Sequence, residues 1–139
     1  MNRIALGTVQ FGLPYGVANK TGQVTQLAAK TILELAKENG TDTLDTAIAY
    51  GESEACLGEV GVHDFKLVTK IPAVPDDCID VCDWVQEQVN ESLARLGVSS
   101  VYGLLLHDSS QLLDKNGKTL YRALQKLKIL GQVQKIGLS

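Results

Sequence analysis

The chain has 139 residues, of which 45% are hydrophobic and 21% are charged, and its formal net charge at pH 7 is −3. This length and composition are typical of one folded globular domain, so we expect residues 1–139 to form a single domain. The slightly acidic charge gives no electrostatic reason to expect nucleic acid or an anionic membrane as a partner. No run approaches the roughly 18 apolar residues that a membrane span needs.

The cysteines and the N-terminal sequence indicate the compartment. The first residues lack the apolar stretch of a signal peptide, and an odd number of cysteines argues against a disulfide framework. We therefore expect a cytoplasmic protein. Cys78 and Cys82 are four residues apart, and Cys56 is distant from both. This is not a zinc-binding spacing, so we expect structural thiols and no metal site.

Five strand-like runs alternate with four helical patterns along the chain. The predicted strands cover residues 3–12, 43–47, 66–71, 101–106 and 133–139. The predicted helices cover residues 25–39, a short segment capped by Ser53, a segment that starts at Asp80 or Asp83 and ends before Gly97, and residues 118–130. Apolar residues at helical spacing, and glycines at positions 40, 97 and 131 as stop signals, support the three longer helices.

Regular alternation of strands and helices predicts a parallel sheet with right-handed crossovers. Two α/β architectures fit this pattern. One is a five-stranded doubly wound sheet, whose usual size matches the chain length. The other is the first five strands and four helices of a TIM (β/α)8 barrel, truncated, because a complete barrel typically needs about 250 residues. Chain length favours the first architecture, and the placement of polar residues favours the second.

Polar residues of different chemical types lie at or near the carboxyl ends of three of the predicted strands. Asp45 follows Leu44 with Tyr50 five residues later, Lys70 follows a run of three strand residues, and His107 follows three leucines. Each residue alone is typical of a cap, a loop or a solvent-facing strand end. Because the active sites of βα barrels are built at the carboxyl ends of the strands, the four together predict one catalytic site.

A carboxylate, a phenol, an ammonium and an imidazole together suit proton transfer to a carbonyl oxygen. A free phenol is a weak acid at neutral pH, but an ammonium within hydrogen-bond reach stabilises the phenolate. Asp45 would hold Lys70 charged and oriented, Tyr50 would donate the proton, and His107 would direct the substrate oxygen. No side chain supplies a hydride, so a nicotinamide cofactor is the natural donor.

Four segments carry a resemblance to the aldo-keto reductases. Residues 45–51 resemble the Asp-Thr-Ala-x-x-Tyr-Gly segment of that family, and residues 67–70 resemble its strand that ends in lysine. Residues 92–107 contain a Ser-Leu-x-x-Leu-Gly run before the histidine. Residues 131–139 are similar to Gly-Lys-Val-Arg-x-Ile-Gly-x-Ser. The resemblance covers essentially the whole chain, in order and with similar spacing.

The resemblance implies an NADP-dependent oxidoreductase of the TIM-barrel class, with NAD as the other candidate cofactor, that reduces an aldehyde or ketone. It implies a general-acid role for Tyr50, tuned by Lys70 and Asp45, and a substrate-orienting role for His107. The residues that it places along the nicotinamide and its ribose are Gly7, Thr8, Val9, Asp45 and Ser139.

Two departures from the family pattern stand out. Tyr102 occupies a position at the start of the fourth strand where the family commonly has an aspartate, and we expect this change to affect local packing rather than chemistry. The second departure is the missing half of the barrel, from which the family takes most of its adenosine and phosphate contacts. The alternative function is therefore a catalytically silent half-barrel that acts as an assembly or interaction module, self-associating through its open face.

Overall fold

The computed structural model describes residues 4–139 and contains one parallel sheet flanked by helices. The strands are β1 (Leu6–Gly7), β2 (Thr43–Asp45), β3 (Lys66–Ile71), β4 (Val101–Leu106) and β5 (Val133–Leu138). The helices are α1 (Val9–Gly12), α2 (Gln26–Glu38), α3 (Ser53–Val60), α4 (Val81–Leu96) and α5 (Gly117–Ile129), with a 3-10 turn at Ser109–Leu113. Within these residues, no helix has the length and apolar character needed to cross a membrane.

The strand order decides between the two predicted architectures. The strands pair in the order β1-β2-β3-β4-β5, and every pairing is parallel. A doubly wound sheet reverses its strand order at a switch point, whereas consecutive strands of a βα barrel lie side by side. The barrel prediction is therefore confirmed, and the doubly wound alternative that the chain length favoured is wrong.

The helices and one face of the sheet enclose the hydrophobic core. Helices α2 to α5 contact one another in sequence along that face. The largest fully buried apolar side chains are those of Leu44, Leu57, Ile71, Leu96, Leu104, Leu106, Leu120 and Leu127. Since side chains alternate across a strand, Asp45 and Lys70 project from the opposite face. That face is also where Val68 approaches Gly103 and Leu105 approaches Gly137.

The predicted first strand is much too long. Strand β1 has only two residues, and the chain then turns into α1, while Arg3 lies outside the described residues. Gly12, the last residue of α1, permits close packing after the turn, because a Cβ atom there would lie 1.8 Å from the carbonyl oxygen of Tyr50. Helix α1 therefore packs directly against the backbone of the Tyr50 segment.

The four predicted helices are confirmed, and the ends of the three longer ones follow the expected chemistry. The Thr25 side chain caps α2, and the Asp80 carboxylate accepts a hydrogen bond from the Asp83 amide to cap α4. Asp80 is therefore the start signal, rather than Asp83. Gly40, Gly97 and Gly131 have φ values of 76°, 68° and 74°, a left-handed backbone that favours glycine at helix ends. Strand β2 ends at Asp45, two residues before its predicted end.

Candidate active site

The ammonium of Lys70 is the centre of a buried polar cluster at the carboxyl ends of β2 and β3. Lys70 is only 5% exposed, and its Nζ donates hydrogen bonds to Asp45 Oδ2 at 2.7 Å and to the backbone oxygen of Thr46 at 2.9 Å. It also donates to the Tyr50 hydroxyl at 3.3 Å. The structure therefore brings three of the four predicted catalytic residues into direct contact.

His107 completes the group without a hydrogen bond to it. The imidazole meets the Tyr50 ring edge-on, with ring centroids 5.8 Å apart and an interplanar angle of 82°. The backbone amide of His107 donates to Ile71 O, which ties the end of β4 to the end of β3. His107 is exposed, so its side chain is accessible from solvent next to the Tyr50 ring.

The buried hydroxyl of Ser53 holds the Tyr50 segment in place. It donates to Thr8 O at 2.9 Å and lies 3.0 Å from the hydroxyls of both Thr8 and Thr46, and all three side chains are fully buried. The Ser53 amide donates to Tyr50 O. The prediction that Ser53 caps α3 is wrong, because Glu52 is the cap residue and the Ser53 hydroxyl faces the strand ends instead.

A buried carboxylate, that of Glu54 in α3, links α3 to β3 and α4 next to the polar cluster. Glu54 is 1% exposed and accepts hydrogen bonds from Thr69 Oγ1 at 2.7 Å and Ser92 Oγ at 2.6 Å. Arg95 Nε donates to it at 2.9 Å, and Arg95 Nη2 forms an ion contact of the same length. Because Thr69 is adjacent to Lys70 in β3, this network fixes the strand that carries the lysine.

Sequence reasoning missed both Glu54 and the hydroxyl cluster. The adjacent polar residues Ser53 and Glu54 lie in the first turn of a helix, where a solvated position is the ordinary expectation. The one feature of the sequence that could have pointed to these two residues is their position close to the predicted Tyr50 motif. Burial of Glu54 depends on Ser92 and Arg95, which are about 40 residues away, and local patterns do not report such contacts.

The predicted cofactor-binding residues divide into accessible and buried positions. Gly7 is in register with Asp45, and a Cβ atom at Gly7 would meet nothing within 4 Å, so the sheet has open space there. Ser139 is exposed and its amide donates to Leu106 O, beside His107. The Thr8 hydroxyl, by contrast, is fully buried and donates to Asp45 O. Val9 begins α1.

The loops beyond β3 and β4 are joined to each other near the site. The Gln111 side chain accepts from the Val74 amide at 2.8 Å and donates to Val74 O at 3.1 Å. A cavity of about 470 Å³ lies between these loops and the start of α5. The loop from Pro72 to Asp80 therefore has a fixed partner beyond the carboxyl ends of the strands, the end of the sheet where the polar cluster lies.

Parallel strands in sequential order, with a polar cluster at their carboxyl ends, define a protein of the βα-barrel class with a strand-end site. The family model described as "Aldo/keto reductase family" matches residues 3–139. The chain belongs to the aldo/keto reductase family.

Relatives and solved structures agree with this membership. The chain is 36% identical over 108 residues to "Oxidoreductase sirO" of Leptosphaeria maculans, a match that covers 75% of this chain and 32% of the relative. The crystal structure of PA4992 from Pseudomonas aeruginosa is 32% identical with a TM-score of 0.81, covering 97% of this chain and 54% of that one.

The fold also matches more distant structures. The holo form of aldo-keto reductase AKR11C1 from Bacillus halodurans is 22% identical, with a TM-score of 0.77, and the match covers 98% of this chain and 45% of that chain. At this identity the likeness shows the fold alone. The chain thus spans about half the length of the solved structures that it matches, and about a third of the curated relative.

Proposed function

We propose that this chain carries the proton-donating site of an NAD(P)H-dependent oxidoreductase that reduces an aldehyde or ketone to an alcohol. The observation that carries the proposal is the set of hydrogen bonds from Lys70 Nζ, which join the Asp45 carboxylate to the Tyr50 hydroxyl. Membership of the aldo/keto reductase family supports NAD(P)-dependent redox chemistry on carbonyl compounds. Residues 1–139 would form one domain that corresponds to the N-terminal part of the relatives' barrel.

Tyr50 is the proposed general acid. Its hydroxyl would donate a proton to the carbonyl oxygen as negative charge develops there. The Lys70 ammonium, 3.3 Å away, would stabilise the phenolate that remains, and Asp45 keeps that ammonium oriented. The exposed His107 imidazole, set against the Tyr50 ring, would donate to the same carbonyl oxygen and fix its direction.

The residues around this cluster fit a nicotinamide cofactor. Gly7 leaves open space in register with Asp45, whose side chain is 36% exposed, so a ribose could lie along these two strand ends. Ser139 would hold the carboxamide. Thr8 would help to shape the cofactor site through its position in the hydroxyl cluster. Val9 would do so through the turn that follows β1. The reduced nicotinamide supplies the hydride, and we propose NADP as the preferred form, with NAD as the second candidate.

Replacement of Tyr50 by phenylalanine tests the proposal. The variant keeps the ring, its contact with His107 and its packing, and it removes only the proton-donating hydroxyl. We expect NADPH-dependent reduction of a simple aldehyde to fall by about 10²–10⁴-fold, the usual contribution of a general acid. NADPH fluorescence should show unchanged cofactor binding. Turnover is followed by the loss of NADPH absorbance.

The matched control is Tyr121→Phe, which removes a hydroxyl from an exposed tyrosine on α5. We expect its turnover to equal that of the unmodified chain. Full activity of Tyr50→Phe would exclude Tyr50 as the acid. Failure of NADPH to bind at near-millimolar concentration would show instead that this chain alone is not a reductase.

The alternative, an assembly module without catalytic activity, has one observation in its favour. The β5 edge and the adjoining helix form an apolar cavity of about 200 Å³, lined by Leu138, Tyr121 and Ile136 among others. Leu138 is 57% exposed. This function predicts a dimer in light scattering that Leu138→Lys disrupts, and a monomer with NADPH-dependent turnover would contradict it.

The proposed location is the cytoplasm. Cys56, Cys78 and Cys82 are all free thiols, and unpaired cysteines are typical of a reducing compartment. Burial, together with the nearby Glu59 carboxylate, raises the pKa of the Cys56 thiol. A raised pKa lowers the thiolate fraction and so slows oxidation, which fits a structural thiol.

A further inference from the structure

A second lysine–tyrosine cluster lies near the amino ends of β3, β4 and β5, at the opposite end of the sheet from Lys70. Lys135 Nζ donates a 2.6 Å hydrogen bond to the Tyr102 hydroxyl and lies 4.8 Å from the centroid of its ring. Lys66 Nζ lies 5.8 Å from the same centroid. The tyrosine that departs from the family pattern is therefore placed beside two ammonium groups.

The charges around Tyr102 favour its ionised form. The hydrogen bond and the positive charge of Lys135, with a smaller effect from Lys66, hold the pKa of the Tyr102 phenol below its ordinary value. Desolvation and the Asp42 carboxylate act in the opposite direction. Asp42 accepts a 2.7 Å hydrogen bond from Lys66, so that ammonium is already paired and Lys135 is the principal partner of the phenol.

A cavity gives small molecules access to this cluster. Its volume is about 650 Å³, within the usual range of ligand pockets, and Tyr102 lies in its wall. Leu67 and Val98 supply apolar surface, and Ser100 and Gln134 supply polar groups. His63 is a further titratable group in the lining. An aromatic reagent can therefore rest on apolar surface close to the phenol.

We propose that Tyr102 is a nucleophilic modification site for acyl or sulfonyl electrophiles, activated by Lys135. The phenolate oxygen attacks the electrophilic centre of the reagent. With an aryl sulfonyl fluoride, an oxygen–sulfur bond forms and the sulfur–fluorine bond breaks. Fluoride leaves with the electron pair, and the phenolic proton passes to solvent. No group is oxidised or reduced, so the reaction needs no further reactant.

Labelling with an aryl sulfonyl fluoride at neutral pH tests this site. The rate at each tyrosine of the 139-residue chain is followed by peptide mass spectrometry. We expect Tyr102 to react at least about threefold faster than Tyr15 and Tyr121, which have no lysine hydrogen-bonded to their hydroxyls in the part of the chain that the structure describes. Those two tyrosines are 59% and 47% exposed, and Tyr102 is only partly exposed, so exposure alone predicts the opposite order.

Substitutions of Lys135 separate activation from access. Lys135→Gln should slow labelling of Tyr102 about threefold or more, while Lys135→Arg should keep most of the rate because it retains a cation. Lys128→Gln, which removes another exposed lysine, should leave the rate unchanged. Circular dichroism confirms that each variant is folded. The proposal would be overturned if Tyr102 were labelled no faster than Tyr15 and Tyr121. An unchanged labelling rate of Tyr102 in Lys135→Gln would also overturn it.

Discussion

Replacing Lys70 with methionine is expected to lower NADPH-dependent turnover by about 10²–10³-fold, the usual effect of removing one electrostatic stabiliser from an active site. The side chain is 5% exposed and makes hydrogen bonds to Asp45, Thr46 and Tyr50. Without the ammonium, nothing in this cluster stabilises a phenolate at Tyr50. Methionine has a similar length and no charge, so it removes the interaction with little change in volume.

Lys70→Met should lower the free energy of unfolding by less than the removal of one partner from a fully buried ion pair would. The Asp45 side chain is 36% exposed and can be hydrated when its partner is lost. We therefore expect a decrease of about 1–3 kcal/mol in the free energy of unfolding, measured by urea denaturation. Lys37→Met is the control, because Lys37 forms an exposed ion pair with Asp64, and it should leave turnover unchanged. Normal turnover in Lys70→Met would contradict the assigned role.

Replacing Glu54 with glutamine is expected to lower the free energy of unfolding by about 2–4 kcal/mol. The carboxylate is almost fully buried and accepts from Thr69, Ser92 and Arg95. A glutamine amide places N–H groups against one of these donors, and it removes the negative charge opposite the guanidinium. Arg95 Nη2 is buried against Glu54, but the side chain as a whole is 34% exposed and Nη1 keeps its contact with Glu91, which holds the expected loss below the upper end for buried pairs.

The control for this prediction is Glu91→Gln. Glu91 pairs with the same arginine at 3.7 Å, but its side chain is 57% exposed, so a change of no more than about 0.5 kcal/mol is expected. Urea denaturation of both variants separates the buried interaction from the exposed one. Equal stabilities for Glu54→Gln and Glu91→Gln would show that the buried network does not anchor β3 and α3.

The contact between Asp45, Tyr50 and Lys70 is a consequence of topology that the sequence does reveal. Carboxyl ends of neighbouring parallel strands meet at one edge of a sheet, so polar residues at those ends must lie close together. The sequence does not reveal the strand order in the same way, because doubly wound sheets and barrels share the same alternation of strands and helices. Residue types at the strand ends favoured the barrel, and chain length pointed to the wrong alternative.

The errors in the sequence predictions come from contacts between distant residues. Residues 9–12 have a strand-like composition, but Gly12 approaches the carbonyl oxygen of Tyr50 and the chain turns into α1. Ser53 has the chemistry of a helix cap, yet its hydroxyl binds Thr8 at the end of β1. The hydrogen bond from Lys135 to Tyr102 likewise arises only when β4 and β5 pair, so local patterns do not report it.

The most direct test of the reductase proposal follows the hydride itself. The chain is incubated with NADPH that carries deuterium at the transferable position and with a simple aldehyde, and the alcohol is analysed by mass spectrometry. The proposed function predicts an alcohol with one deuterium on its carbinol carbon. The unmodified chain and Tyr121→Phe should form this alcohol at similar rates, and Tyr50→Phe should form it much more slowly. Cofactor binding without deuterium transfer to any aldehyde tested, or equal transfer by Tyr50→Phe, would contradict it.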